Sequence, residues 1–262
     1  MPTRSSSRVR KQTALAWLAA VLAFGWAGAA QAYRPFDGTD ASVAELGTLE
    51  VEAGPVQWYR HGGSDYLVTP AAVLNLGFSR NLEAIVDFNP FVGLEPVPGE
   101  RRLRLLGTDA LVKWVLCRGV LQGERGLSVA FEGGPLLPEI HGEGRFGAQA
   151  RTIFSYAWPA LALHFNEQVD LARSGNIALF SGVIVEGPRK LTIRPVAELF
   201  AAKELHAGAD YSALLGAIWP VSEAVTFDAG ARLAREDGAR AIEARLGLTW
   251  TSSLWTPTRA PE

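Results

Sequence analysis

From Ile242 to Trp250 the chain alternates without a break. Ile242, Ala244, Leu246, Leu248 and Trp250 fall on one side, and Glu243, Arg245, Gly247 and Thr249 on the other. Successive strand side chains point to opposite faces, so this stretch reads as a strand with one apolar and one polar face. The same pattern recurs in twelve segments: roughly 47–59, 65–78, 81–89, 108–118, 126–134, 146–158, 160–170, 176–187, 190–202, 209–220, 222–234 and 239–250. Most are 9 to 14 residues long. Ordinary strands average about 5 or 6 residues, whereas a strand that crosses a bilayer needs about 9 to 11. No segment beyond the N-terminal leader shows a helical period. The pattern predicts an all-β chain: an antiparallel transmembrane β-barrel of about twelve strands.

Composition and connections agree. The sequence is 48% hydrophobic, so there is ample apolar surface to bury. Beyond residue 32, however, the longest run free of Asp, Glu, Lys and Arg is Thr152–Asn166, 15 residues with a central Pro159. A spanning helix needs about 20 apolar residues. With an outward-going first strand, the inner connections include Ser79-Arg80-Asn81, Pro159, Gly187-Pro188-Arg189 and Val221. The outer ones are longer: 89–107, 134–145, 201–209 and 235–238. Short turns at one end and longer loops at the other are the outer-membrane barrel layout. The inner connection 118–125 is the exception. Parity pairs Phe78 with Leu82 across a tight turn. Closure at Asp237-Gly238 sets Arg232 opposite Glu243; closure one residue earlier sets Asp228 opposite Arg245. Trp58, Tyr59, Trp158, Trp219, Trp250 and Trp255 cluster near strand ends, as interfacial girdle residues do.

The N-terminus reads as an address. Arg4, Arg8, Arg10 and Lys11 precede an apolar run, and Ala30-Gln31-Ala32 forms a cleavage site. Removing residues 1–32 shifts the formal charge from −2 to −6. The expected organisation is a signal peptide (1–32), a periplasmic or luminal segment (33–46), the barrel (47–250) and a tail (251–262). The expected location is the outer membrane of a Gram-negative-type bacterium. Partners would be outer-membrane lipid, a small-molecule solute and the barrel-assembly machinery. The near balance of 25 basic and 27 acidic residues argues against nucleic acid. A lone Cys117 excludes a disulfide scaffold.

If the apolar face meets lipid, the other lines a lumen. Its candidate pore-lining residues are Lys113, Arg151, His164, Arg194, Glu198, Asp228, Arg232, Glu243 and Arg245, with Arg194, Arg232 and Arg245 candidates for setting solute preference. Such residues serve a water-filled channel or pair into a structural network. Some barrels of this kind are hydrolases, and His164 and Asn166 share a face with Ser155 across the neighbouring strand. The chain has no G-x-S-x-G, and lipid chemistry would have to face outward, so no catalytic residue is assigned. His141-Gly142-Glu143 and Asp37-Gly38-Thr39-Asp40 lack the further ligands a metal needs, and no metal or cofactor is expected.

Several motifs carry a resemblance: Tyr33-Arg-Pro-Phe-Asp-Gly-Thr-Asp40, Leu49-Glu-Val-Glu52, Pro70-Ala-Ala-Val-Leu-Asn-Leu-Gly77 and Asp109-Ala-Leu-Val-Lys-Trp114. To these are added Gly133-Gly-Pro-Leu-Leu-Pro138, Gly142-Glu-Gly144, Phe146-Gly147 and Pro195-Val-Ala-Glu-Leu-Phe200. Together they resemble the outer-membrane channel family named for the meta-pathway of phenol degradation. The resemblance covers nearly the whole chain after residue 32, with Asn75, Gly77 and Lys113 its most specific positions. It implies a transporter-like barrel and transfers no functional residue set. The expected function is passive passage of a small molecule, hydrophobic or aromatic compounds included. The rivals are a non-conducting structural barrel, a lipid-modifying barrel enzyme and a soluble periplasmic β-sandwich.

Overall fold

The computed structural model describes residues 34–96 and 101–255, so the expected leader lies outside the described residues, as do residues 256–262. It contains thirteen extended segments: β1 (Thr48–His61), β2 (Ser64–Val68), β3 (Ala71–Gly77), β4 (Leu82–Gly93), β5 (Leu103–Cys117), β6 (Ser128–Leu136), β7 (Gly147–Ala157), β8 (Ala162–Leu171), β9 (Ile177–Glu186), β10 (Arg194–Glu204), β11 (Ala209–Pro220), β12 (Val225–Glu236) and β13 (Ala239–Ser253). Neighbours in sequence pair antiparallel, and β13 pairs with β1 to close the sheet. Both β2 and β3 lie between β1 and β4, so they are two halves of one stave. The result is a closed twelve-stranded barrel, as the periodicity requires.

The break in the second stave falls at Thr69-Pro70. Proline has no N–H for the ladder, so a strand yields there. Thr69 keeps its own bonds: its N–H donates to the Pro90 carbonyl (3.0 Å) and its hydroxyl to that of Pro55 (2.7 Å). The last hairpin closes on Asp237-Gly238, both at positive φ (50° and 76°), as the two-residue turn of matching twist demands. Arg232 therefore faces Glu243. At the other end, the Phe78 N–H donates to the Leu82 carbonyl at 3.2 Å.

Burial is inverted relative to a soluble protein. Leu215 is 71% exposed and Leu246 54%, while Glu243 and Glu198 on the opposite face are 2% and 1% exposed. An apolar belt exposed in this way is stable only against lipid, so the charged face is the luminal one. No helix among the described residues is long and apolar enough to cross a membrane.

Strand lengths depart from the expected ones at the end remote from the termini. β4 reaches Gly93 and β5 starts at Leu103, which shortens the connection expected over 89–107. At the end that carries the termini, β13 runs on to Ser253. The loose inner connection 118–125 holds a short 3-10 turn, η1 (Val120–Gln122).

Candidate functional site

Strand parity directs the site residues inward, and a segment that is not a strand determines what they do there. Residues 34–46 lie inside the barrel, in the half nearer the termini, and work round its inner wall. The Arg34 N–H donates to Glu52 Oε2 (3.1 Å). The Asp37 and Gly38 N–H groups donate to the two oxygens of Glu198 (2.9 and 2.7 Å). Thr39 and Asn166 bond twice, N–H to Oδ1 (3.0 Å) and Nδ2–H to the carbonyl (2.9 Å). The Ala41 N–H donates to Ser155 Oγ (2.9 Å), and the Ala44 N–H to Glu83 Oε2 (2.6 Å). The Gln122 side chain of η1 donates to the Ala41 carbonyl (2.7 Å). A segment with no sheet partner must satisfy its backbone on side chains, and here it does so largely on buried carboxylates. Bonds to charged groups are the stronger kind, about 1.5–3 kcal/mol each.

Two cations fasten this strap. Arg245 donates to the Pro35 carbonyl (2.7 Å) and to both Asp37 oxygens (2.9 and 3.1 Å). Burial would raise the Asp37 carboxyl, but the guanidiniums of Arg245 and Arg232 outweigh it and hold the group below its ordinary value. Lys113 donates to Thr39 Oγ1 (2.9 Å) while lying 3.2 Å from Glu83 and 3.7 Å from Glu132. Missing side chains on the wall make room. A Cβ on Gly77 would collide with the carbonyls of Ala44 and Glu45, and one on Gly230 would stand 3.1 Å from Pro35.

Above the strap, toward the far rim, lies a cavity of about 780 Å³. The strap residues Arg34, Phe36 and Asp37 form part of its floor, and His61, Arg104 and Glu236 line it near the rim. Ten carboxylates and six Lys or Arg side chains line it. Of the nine residues expected in the pore, Lys113, Arg151, Arg232, Glu243 and Arg245 line this cavity. His164, Arg194, Glu198 and Asp228 face inward beside the strap instead. The cations are engaged: Arg232 with Glu243 and Glu236 (2.6 Å each), Arg245 with Glu243 (2.5 Å), Arg151 with Glu132 (3.2 Å) and Arg194 with Glu186 (3.0 Å). Asp228 lies 3.9 Å from Arg34.

Ser155 and His164 do meet, with Oγ 2.8 Å from Nδ1, and His164 Nε2 lies 3.4 Å from Glu186. Both are wholly buried, the Ser155 hydroxyl accepts the strap's Ala41 N–H, and Asn166 is committed to Thr39. This chain of groups holds the strap in place and has no room for a substrate.

One wall of the cavity escaped the sequence reading. Tyr59, expected in the outer girdle, faces the lumen. Its hydroxyl donates to Glu236 (2.6 Å), its ring stacks on His61 (6.0 Å between centroids), and Tyr66 and Phe91 complete the cluster. The cause is a register shift in β1 between Ala53 and Val56, after which odd residues point inward where even ones did before. Gly54-Pro55 within a strand was the available signal.

No family model matches the chain, and no curated protein matches it. Solved structures do. An outer-membrane channel from Pseudomonas putida F1 superposes with a TM-score of 0.58 at 9% identity, covering 82% of this chain and 99% of the other. The NanC porin gives 0.56 at 9% identity, and the KdgM porin 0.52 at 8%, each over 77% of this chain and 98% of the other. The fold is that of an outer-membrane porin-type barrel.

Proposed function

We propose that this protein is an outer-membrane channel through which a small molecule diffuses passively, with the 34–46 strap forming its constriction. The observation that carries this reading is the cavity of about 780 Å³ inside a closed barrel, reaching one rim and floored at the other side by a hydrogen-bonded segment. A barrel with a purely mechanical role has no use for a lumen lined by so many charges, since burying them costs free energy that an apolar filling avoids. The termini would lie on the periplasmic side, so the cavity faces outward and the strap guards the inner exit. The aromatic wall of Tyr59, Tyr66 and Phe91 suits a solute with a flat apolar part. Kinship with the phenol meta-pathway channels rests on the sequence motifs, of which the 33–40 run belongs largely to the strap and the 49–52, 70–77, 109–114 and 195–200 runs hold Glu52, Gly77, Lys113 and Glu198 around it. The Ser155–His164–Glu186 chain is read as structural.

Purified protein in planar bilayers tests this. Discrete conductance steps are expected, with larger or longer openings in Glu198→Ala/Asn166→Ala, which removes the strap's docking points. Silent membranes for both forms, with folding confirmed by heat-modifiable gel migration, would favour a non-conducting barrel and end the channel reading.

A further inference from the structure

The outward face of the last hairpin ends on two arginines. Arg235 on β12 and Arg240 on β13 stand directly opposite each other, and Tyr211 on β11 stands directly opposite Arg235. All three point away from the lumen, because the Arg232–Glu243 pair fixes the inward parity of β12 and β13. Both arginines are exposed, and Tyr211 is 59% exposed. Like charges directly opposite on one face repel, and neither guanidinium makes an ion pair or hydrogen bond among the described residues. The carboxylates nearest in sequence and pairing are turned elsewhere. Glu236 faces the lumen and holds Arg232 and Tyr59 (2.6 Å each), Asp210 accepts the Asp237 N–H (2.9 Å), and Asp237 occupies the turn itself. Other charges on the outward face do have partners. Arg60 is gripped by both Asp65 oxygens (2.8 and 2.6 Å), and Glu167, mid-strand on β8, accepts the Ser181 hydroxyl (2.6 Å).

Depth says what meets the unmatched pair. Trp250 lies ten residues along β13 from Arg240 on the same face, with only Ile242, Ala244, Leu246 and Leu248 between them. On β12, Val225 lies ten residues from Arg235 and pairs with Trp250. With a rise of about 3.3 Å per residue and a tilt of about 40°, ten residues span about 25 Å along the membrane normal, the height of the apolar band on such barrels. Trp250 marks the interface nearer the termini, so the arginines mark the other one, at headgroup level. The two-residue turn between their strands puts no long loop over them, and a headgroup can reach them from the side.

The chemistry narrows the headgroup. A guanidinium binds phosphate through two parallel N–H donors, and two such forks converge here. A phosphate monoester carries about −1.5 to −2 charges at pH 7, which two guanidiniums match; a phosphodiester carries one. Tyr211 beside them adds a hydroxyl donor on a ring that rests in the boundary between headgroup and chain.

We propose that Arg235 and Arg240, flanked by Tyr211, form a binding site for a lipid whose headgroup bears a phosphate monoester, the chemistry of the phosphorylated glycolipid of the outer leaflet. With the termini periplasmic, the site faces that leaflet. It lies outside the lumen and is independent of what the channel conducts.

The test mixes the purified barrel in detergent with lipid probes and counts retained lipid by native mass spectrometry. Lipid A and phosphatidic acid carry the monoester; phosphatidylglycerol carries only the diester. Wild type should retain each monoester lipid at least tenfold over phosphatidylglycerol. Arg235→Gln/Arg240→Gln should cut retention of both monoester lipids at least tenfold, while Arg80→Gln, which removes an exposed arginine from a turn at the opposite rim, should leave it unchanged. Heat-modifiable migration confirms that each barrel is folded. Equal retention by wild type and the double variant, or a wild type that holds phosphatidylglycerol as well as phosphatidic acid, would overturn the proposal. Full displacement of phosphatidic acid by an equal concentration of inorganic phosphate would assign the site to free phosphate and overturn it as a lipid site.

Discussion

Replacing Lys113 with Met should destabilise the barrel by about 3–5 kcal/mol. Lys113 is 3% exposed and its ammonium stands between Glu83 (3.2 Å) and Glu132 (3.7 Å), themselves 4% and 3% exposed. Met conserves the stem, so packing changes little and the loss is electrostatic. Removing one partner of a buried ion pair leaves an uncompensated charge, and the effect of that is typically 3–5 kcal/mol. The two carboxylates do not suffer equally. Glu132 keeps Arg151 at 3.2 Å and the Gln149 amide at 3.0 Å, while Glu83 keeps only the Ala44 N–H among its described partners. Most of the loss therefore falls on Glu83. Adding Glu83→Gln to Lys113→Met should then recover a substantial part, at least 1–2 kcal/mol, because it removes the stranded charge. Urea unfolding in lipid vesicles, followed by tryptophan fluorescence, reads both values. An unfolding free energy for Lys113→Met within about 0.5 kcal/mol of wild type would refute the reasoning, as would a double variant no more stable than the single.

Three further outcomes follow from the same geometry. Leu246→Arg should impair assembly by about 2–4 kcal/mol, since Leu246 faces lipid near mid-strand, whereas Thr249→Ala on the luminal face should be nearly silent; equal folding yields would contradict the face assignment. Because the folded Asp37 carboxyl is held below its ordinary 3.8, its contribution to strap docking is complete above that value and lost as the pH falls through the lower folded one. Protease protection of the strap should hold at pH 5 and fail only in stronger acid, and Asp37→Asn should weaken it at neutral pH. With ten carboxylates against six cations on the cavity lining, reversal potentials in a salt gradient should show cation preference; an anion preference would return Arg232 and Arg245 to the selectivity role considered from sequence.

The barrel was legible because its determinants are local and periodic. Strict alternation at 239–250 dictates β13, and an Asp-Gly dipeptide dictates the turn that pairs Arg232 with Glu243. Wherever one inserted residue reset the parity, prediction stopped at that residue. Gly54-Pro55 turned Tyr59 inward, and Thr69-Pro70 divided the second stave. Glu167 lay on a strand already read as amphipathic, and a single charge on its apolar side carries too little weight to disturb a period.

The strap was illegible for a different reason, and yet the sequence contains its outline. Residues 34–46 have no period, because their backbone groups bond to side chains scattered over several staves: Glu52, Glu198, Asn166, Ser155 and Glu83. The wall residues that receive them are widely separated in sequence. Two of them, Glu52 and Glu198, lie in the motifs, as do Asn75, Gly77 and Lys113 around the strap, whereas Glu83, Ser155, Asn166 and Arg245 lie outside. Asn75 donates to Glu52 at 2.8 Å, and Glu52 accepts the Arg34 N–H. Gly77 accepts the Gly47 N–H at 2.7 Å and clears space for Glu45. A barrel wall by itself asks only for apolar residues outside and compatible ones inside, which many sequences satisfy. A strap that ends its backbone bonds on particular carboxylates, an amide, a hydroxyl and a guanidinium demands particular residues at particular heights on six staves. The most sequence-specific element of this fold is thus the one without secondary structure, and the specificity lies in the lumen, where passage would be controlled.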